Sequence, residues 1–185
     1  MPFVLKDAPG LPKEFEIEFV KLKDGQHHFQ GEIGIQFFEY FENIDVKGAQ
    51  VDVQLEIDKQ QSLIQVELFA KGYVSVTCDR CLELVNMPVD TQYLVLYQFT
   101  GEVAPDVDKD NSEVEFIELP ANAVAFNVSQ QVYETVLLDI PMIRNCDDLE
   151  TKPCNSQMLE KLNNINQSGD EKSDPRWDKL KDLLK

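Results

Sequence analysis

Apolar and polar residues alternate without interruption from Val51 to Asp58. After the polar Lys-Gln-Gln-Ser, the even positions Ile64, Val66, Leu68, Ala70, Gly72, Val74, Val76 and Cys78 fall on one side. A period of two is the signature of a half-buried strand, so two long antiparallel strands joined by a polar turn are expected here. The small residues Ala70 and Gly72 predict a bend or a bulge in the second of them. Tyr93, Val95, Tyr97 and Phe99 continue the alternation in "TQYLVLYQF". Nearer the start, Phe15, Ile17 and Phe19 interleave with Glu14, Glu16 and Glu18, and a Lys-Asp-Gly turn signal at 23–25 leads into Phe29, Ile33 and Ile35 on one parity. These segments read as a strand and a hairpin, making a meander of at least five strands.

Helical periodicity is rarer. "IQFFEYFENID" fits both periods, with Phe37, Phe41 and Ile44 on one helical face. "NVSQQVYETVLLDIP" reads as a helix, with Asn127 at its N-cap, Gln130 three residues on and Pro141 as its stop. Val128, Val132 and Val136 lie along one side of it and predict that it covers one face of the sheet. After Cys154, "NSQMLEKL" reads as a short helix and "NNINQSGDEKS" as a flexible linker. In the closing "DPRWDKLKDLLK", Asp174 is an N-cap, Pro175 the first helical residue, and Trp177, Leu180 and Leu184 an apolar edge. A helix this short needs a surface to dock on, in its own chain or in a partner. The expected fold is α+β: a curved antiparallel β-sheet or partly open barrel with a covering helix and short C-terminal helices. Residues 1–145 form an acidic sheet domain in this reading, and 146–185 a cysteine-bearing segment, a polar linker and a terminal helix.

The 185 residues, 43% hydrophobic and 28% charged, are enough for one domain with a substantial core. The start lacks the basic and apolar runs of a signal peptide, and no eighteen apolar residues stand together, so a cytoplasmic protein without a membrane span is expected. The net charge of −17 is uneven. Residues 1–145 carry 25 acidic against 10 basic side chains, and 146–185 carry 9 against 7. A surface of that sign lacks the clustered Lys and Arg that a phosphate backbone requires, so contact with nucleic acid is expected to run through a basic protein partner. The segment from Glu102 to Glu118, with seven acidic residues and one lysine, begins as an exposed loop and reads either as a docking surface or as a solvated connector.

The candidate chemistry lies in "VSVTCDRCLEL", where Cys78 and Cys81 end the long strand. A reducing compartment leaves three uses for them. Zinc takes four ligands in a tetrahedron, and a C-x₂-C pair supplies two of these, with Cys146 and Cys154 able to supply the others from 64 residues further on. A redox dithiol needs an exposed, acidic thiolate at a helix start; Arg80 would favour it, but the residues after Cys81 read as extended. The third use is burial, since Cys78 shares the apolar parity of its strand. The adjacent His27 and His28 point to opposite faces of a strand, no phosphate-binding Gly-rich loop occurs, and no constellation singles out an enzyme.

"CDRCLE" at Cys78 to Glu83 resembles the C-x-R-C-L-E signature of the bacterial YceD family, the large ribosomal RNA subunit accumulation proteins. The order of later parts is similar too: a helix ending in "LLDIP" before Cys146, a cysteine-bearing segment and a closing "DPRWDKLKDLL". The likeness spans roughly 74 to 184. It departs in the cysteine segment, where the family's Gly-Leu-Cys-Pro-x-Cys-Gly knuckle is replaced by "NCDDLETKPCNSQML"; Cys146 matches the family's first cysteine and Cys154 one of the knuckle pair. The resemblance implies a non-catalytic factor in ribosome assembly that supports accumulation of large-subunit ribosomal RNA. Joined to the charge pattern, it suggests that the acidic sheet holds a basic ribosomal or assembly protein.

Overall fold

The computed structural model describes residues 13–99, 115–146 and 154–168. Strand β1 (Glu16–Ile17), β2 (Gly25–Gly34), helix α1 (Ile35–Tyr40), β3 (Gly48–Lys59), β4 (Leu63–Thr77), β5 (Leu84–Phe99), β6 (Glu115–Leu119), β7 (Phe126–Asn127), α2 (Ser129–Asp139) and α3 (Ser156–Ser168) follow in that order. The fold is α+β. Its main sheet has the strand order β2-β3-β4-β5-β6 and is not closed into a barrel. β2 through β5 form an antiparallel meander, and β6 adds to β5 in parallel. Four of the five expected strands are in this sheet as β2 to β5, and its fifth member, β6, comes from the acidic segment and arrives by a crossover instead of a hairpin.

Strict alternation becomes strict burial. Val51, Val53, Leu55 and Ile57 of β3, Ile64, Val66, Leu68, Ala70, Val74 and Val76 of β4, and Val85, Met87, Val89, Val95 and Tyr97 of β5 are all buried on one face. The β3–β4 register runs unbroken from Gly48↔Ser75 to Lys59↔Ile64, so β4 contains no bulge. Gly72 serves close approach instead: a Cβ there would lie 2.1 Å from the Gln50 carbonyl oxygen and 2.8 Å from the Val51 Cα.

The inner face is covered by α2 and by an aromatic layer. Val128, Val132 and Val136 are fully buried, as the helical spacing predicts, and α2 lies against β4 and β5. The Asn127 side-chain oxygen accepts from the Ser129 N–H at 2.8 Å, which starts the helix from one residue before its cap position. "IQFFEYFENID" resolves as helix α1: Phe37 and Phe38 are buried, the Phe15 ring lies 5.1 Å from Phe37, and Phe41 stacks on Tyr133 at 4.2 Å. Ile44 does not share that face and is 80% exposed.

Two further expectations need correcting. Phe15, Ile17 and Phe19 are buried as predicted, but most of that stretch is 3₁₀ turn, and its two strand residues pair with β7 instead of forming a hairpin with β2. The last four residues of the acidic segment belong to strand β6, while the part read as an exposed loop lies outside the described residues. The stretch read as a flexible linker is helical up to Ser168, since Asn155 caps α3 by accepting from the N–H groups of Gln157 and Met158 at 3.0 and 3.3 Å. The terminal "DPRWDKLKDLLK" lies outside the described residues.

Candidate metal centre

The turn between β4 and β5 is the six-residue stretch Cys78 to Glu83, so the C-x₂-C pair occupies a hairpin tip. Its backbone closes on itself: the Cys78 N–H donates to the Glu83 carbonyl at 2.8 Å, and the Leu82 N–H donates to the Cys78 carbonyl at 3.0 Å. Closing so tightly puts Leu82 in the left-handed region with φ 62°, a conformation an L-residue adopts at a cost of about 1–2 kcal/mol. The reversal turns both cysteine side chains inward, where Cys78 and Cys81 are 0% and 2% exposed.

Two latches hold the later cysteines against this tip. The Asp79 N–H donates to the Arg144 carbonyl at 2.8 Å, and the Arg144 N–H returns a bond to the Asp79 carboxylate at 2.7 Å, which places Cys146 two residues beyond. On the other side the Asn155 side-chain amide donates to the Glu83 carboxylate at 2.6 Å, which fixes the residue after Cys154. Asn155 thus caps α3 with its oxygen and ties that helix to the hairpin with its nitrogen. These latch residues carry no signal in the spacing of the cysteines. Asn155, ahead of the helical "SQMLEKL", is the one that cap chemistry marks in advance.

All four sulfurs lie within 4.8 Å of one another and all four residues are buried. Cys81 and Cys146 are 3.6 Å apart at Sγ, and Cys78 and Cys154 3.9 Å. A tetrahedron of zinc–sulfur bonds near 2.3 Å has edges of roughly 3.8 Å, so the observed separations match a tetrahedral thiolate site. They far exceed the ~2.05 Å of a disulfide. The donor set fits zinc by number, type and separation.

Electrostatics within the cluster favour a cation. Burial pushes the Cys78 thiol up, but the backbone N–H groups of Cys81, Arg80 and Cys146, with the Cys146 side chain, outweigh it and bring Cys78 down to about 6. Burial, together with the Cys78 and Cys81 sulfurs, pushes Cys154 up to about 11 and Cys146 upward as well. One thiolate is thus prepared by the backbone, while Cys146 and Cys154 are held protonated by burial and by facing it. A dication at the centre reverses the sign of that interaction. The geometry does not supply what a redox dithiol needs, since both hairpin sulfurs are buried and the chain continues into β5, not into a helix. His28 lies 3.7 Å from the Glu56 carboxylate on the solvent side, and the His27 ring bonds the Lys23 carbonyl; the two do not act together.

No helix among the described residues is long and apolar enough to cross a membrane. Comparison with curated proteins and with solved structures finds no match to this chain. The model of one protein family, described as large ribosomal RNA subunit accumulation protein YceD, matches residues 66–184, a span that takes in β4, the hairpin tip, α2, α3 and every cysteine. The chain belongs to the YceD family of large ribosomal RNA subunit accumulation proteins.

Proposed function

We propose that this protein is a non-catalytic cytoplasmic factor supporting the accumulation of large-subunit ribosomal RNA, and that structural zinc held by Cys78, Cys81, Cys146 and Cys154 fixes its C-terminal half to its sheet. The metal supplies cross-linking and charge neutralisation; the chain supplies four thiolates, backbone donors to the Cys78 sulfur and the Asp79–Arg144 and Glu83–Asn155 latches. The observation that carries the reading is the coincidence of two things. The family match covers residues 66–184, and the four cysteines inside that span, though distant in sequence, meet at one buried point. A site so closed has no position for a substrate, which supports a structural rather than a catalytic metal. The excess of acid in residues 1–145 supports a basic ribosomal or assembly protein as the partner.

Depletion of the protein from its own cells tests the role. The ratio of large- to small-subunit ribosomal RNA is expected to fall, to recover with the wild-type chain, and not to recover with C146S/C154S. An unchanged ratio on depletion would refute the role, and full rescue by C146S/C154S would remove the metal from it.

A further inference from the structure

The sheet has a second face, and the described residues leave it open. On that side the register sets residues of β2, β3, β4 and β5 in rows that cross all four strands. The middle row is Gln30–Gln54–Phe69–Gln92, uncharged, with a half-buried aromatic ring near its centre. To one side lies Glu32–Asp52–Lys71–Asp90, and to the other His28–Glu56–Glu67–Leu94, acidic in its middle and apolar at its β5 end. A concavity of about 640 Å³ is lined by Asp52, Gln54, Phe69, Lys71, Asp90 and Gln92, and a separate one of about 110 Å³ is lined by His28, Glu56 and Glu67, so the uncharged row runs as a shallow trough between two hollows that carry the acidic borders.

The charge arrangement is unlike that of a face meant only for water. Solvated sheets place opposite charges across strands, because like charges directly opposite are destabilising. Here Glu32 faces Asp52 and Glu56 faces Glu67, and Lys71, set between Asp52 and Asp90, is the one lysine in these rows. Lys71 bonds Asp90 at 2.8 Å and shows how a cation seats on this border. We infer that this trough is the docking surface for an extended, arginine-rich protein segment that crosses the strands along the glutamine row, with its cations alternately reaching the two acidic borders. The inference rests on the proposed role and gives its basic partner a place and a shape.

The dimensions agree. Residues four apart on a strand are separated by about 14 Å, the distance between the two borders, and an arginine side chain from a backbone on the midline spans half of that. Four strands at ~4.8 Å spacing make the row about 14 Å long, enough for about four extended residues. The glutamines offer donors and acceptors to the segment's backbone, and Phe69 offers a ring face to a guanidinium. Nucleic acid is excluded from the same surface by its own phosphates.

The test is fluorescence anisotropy of a labelled hexa-arginine peptide, whose successive side chains alternate between the two sides of an extended backbone, with the full chain. Binding is expected, weakening steeply between about 50 and about 300 mM salt. The E56Q/E67Q double variant relieves a like-charge pair and so keeps the fold; it is expected to bind about tenfold more weakly. The E39Q/E42Q control removes the same charge from exposed positions on and just after α1 and is expected to bind like wild type. Lys71→Gln is expected to tighten binding by freeing Asp90. No binding by wild type, equal weakening in both double variants, or preference for a single-stranded RNA oligonucleotide overturns the inference. Expression in depleted cells separates the two levels. If E56Q/E67Q restores ribosomal RNA fully, the docking surface falls and the role stands. If depletion itself changes nothing while the peptide pattern holds, the role falls and the docking surface stands.

Discussion

Gly72→Ala is a sharp test of how the sheet aims the hairpin that carries Cys78 and Cys81. An added Cβ would stand 2.1 Å from the Gln50 carbonyl oxygen and 2.8 Å from the Val51 Cα, both backbone atoms, where real contacts do not fall below 3.0 Å. No side chain can rotate away, so β3 must withdraw by about 1 Å in mid-ladder, at the Val51↔Gly72 pair. Overpacking of this kind costs about 1–3 kcal/mol. Weakening one or two flanking ladder hydrogen bonds adds about 1 kcal/mol each, for a total near 3 kcal/mol. That is a large fraction of the stability of an ordinary domain, about 5–15 kcal/mol. Gly48→Ala is the matched control: its Cβ would meet the Ser75 hydroxyl at 3.2 Å, which can turn aside, and the Ser75 Cβ at 3.4 Å, an ordinary contact. Urea unfolding followed by circular dichroism should show the midpoint of the Gly72 variant falling with an unchanged m-value, and that of the Gly48 variant moving by less than about 1 kcal/mol equivalent. If the two alanines cost the same, close strand approach is not why glycine stands at 72.

Other outcomes follow from the tip and its latches. Leu82→Gly should be neutral to stabilising by up to about 1 kcal/mol, because it releases the left-handed strain of an exposed side chain; clear destabilisation in thermal melts would contradict that reading. Asp79→Ala removes the acceptor of the Arg144 N–H and should cost about 1–2 kcal/mol and speed metal loss to a chelator, read by a chromophoric zinc indicator. Acidification should release metal and destabilise the chain together, since each thiolate must stay deprotonated to bind; the sign is loss as pH falls, checked by melting temperature against pH with and without chelator.

Long periodic stretches were legible residue by residue. The faces of β3, β4 and α2 follow from alternation or from helical spacing, because each element is long enough for burial to outweigh local preference. Short contacts were not. β1 is two residues long and takes its partner, β7, from more than a hundred residues away, and β6 joins in parallel after a crossover. Nothing local encodes either choice. Phe37, Phe38 and Tyr40 of α1, with Phe41 just after it, suit both periods, and packing against Phe15 and Tyr133 decides. At the cysteine cluster, residue type and the C-x₂-C spacing identified Cys78 and Cys81, but the meeting with Cys146 and Cys154 depends on where α2 returns the chain. The Asp79–Arg144 latch that completes this return joins positions with no sequence relation to each other.

The proposed structural role of the four sulfurs requires that they hold a metal. Elemental analysis of protein purified without chelator, paired with titration of accessible thiols, addresses this directly. One zinc per chain is predicted, with all four thiols unreactive until chelator is added and then reactive together. Folded protein carrying no stoichiometric metal, with thiols that titrate freely, would contradict it.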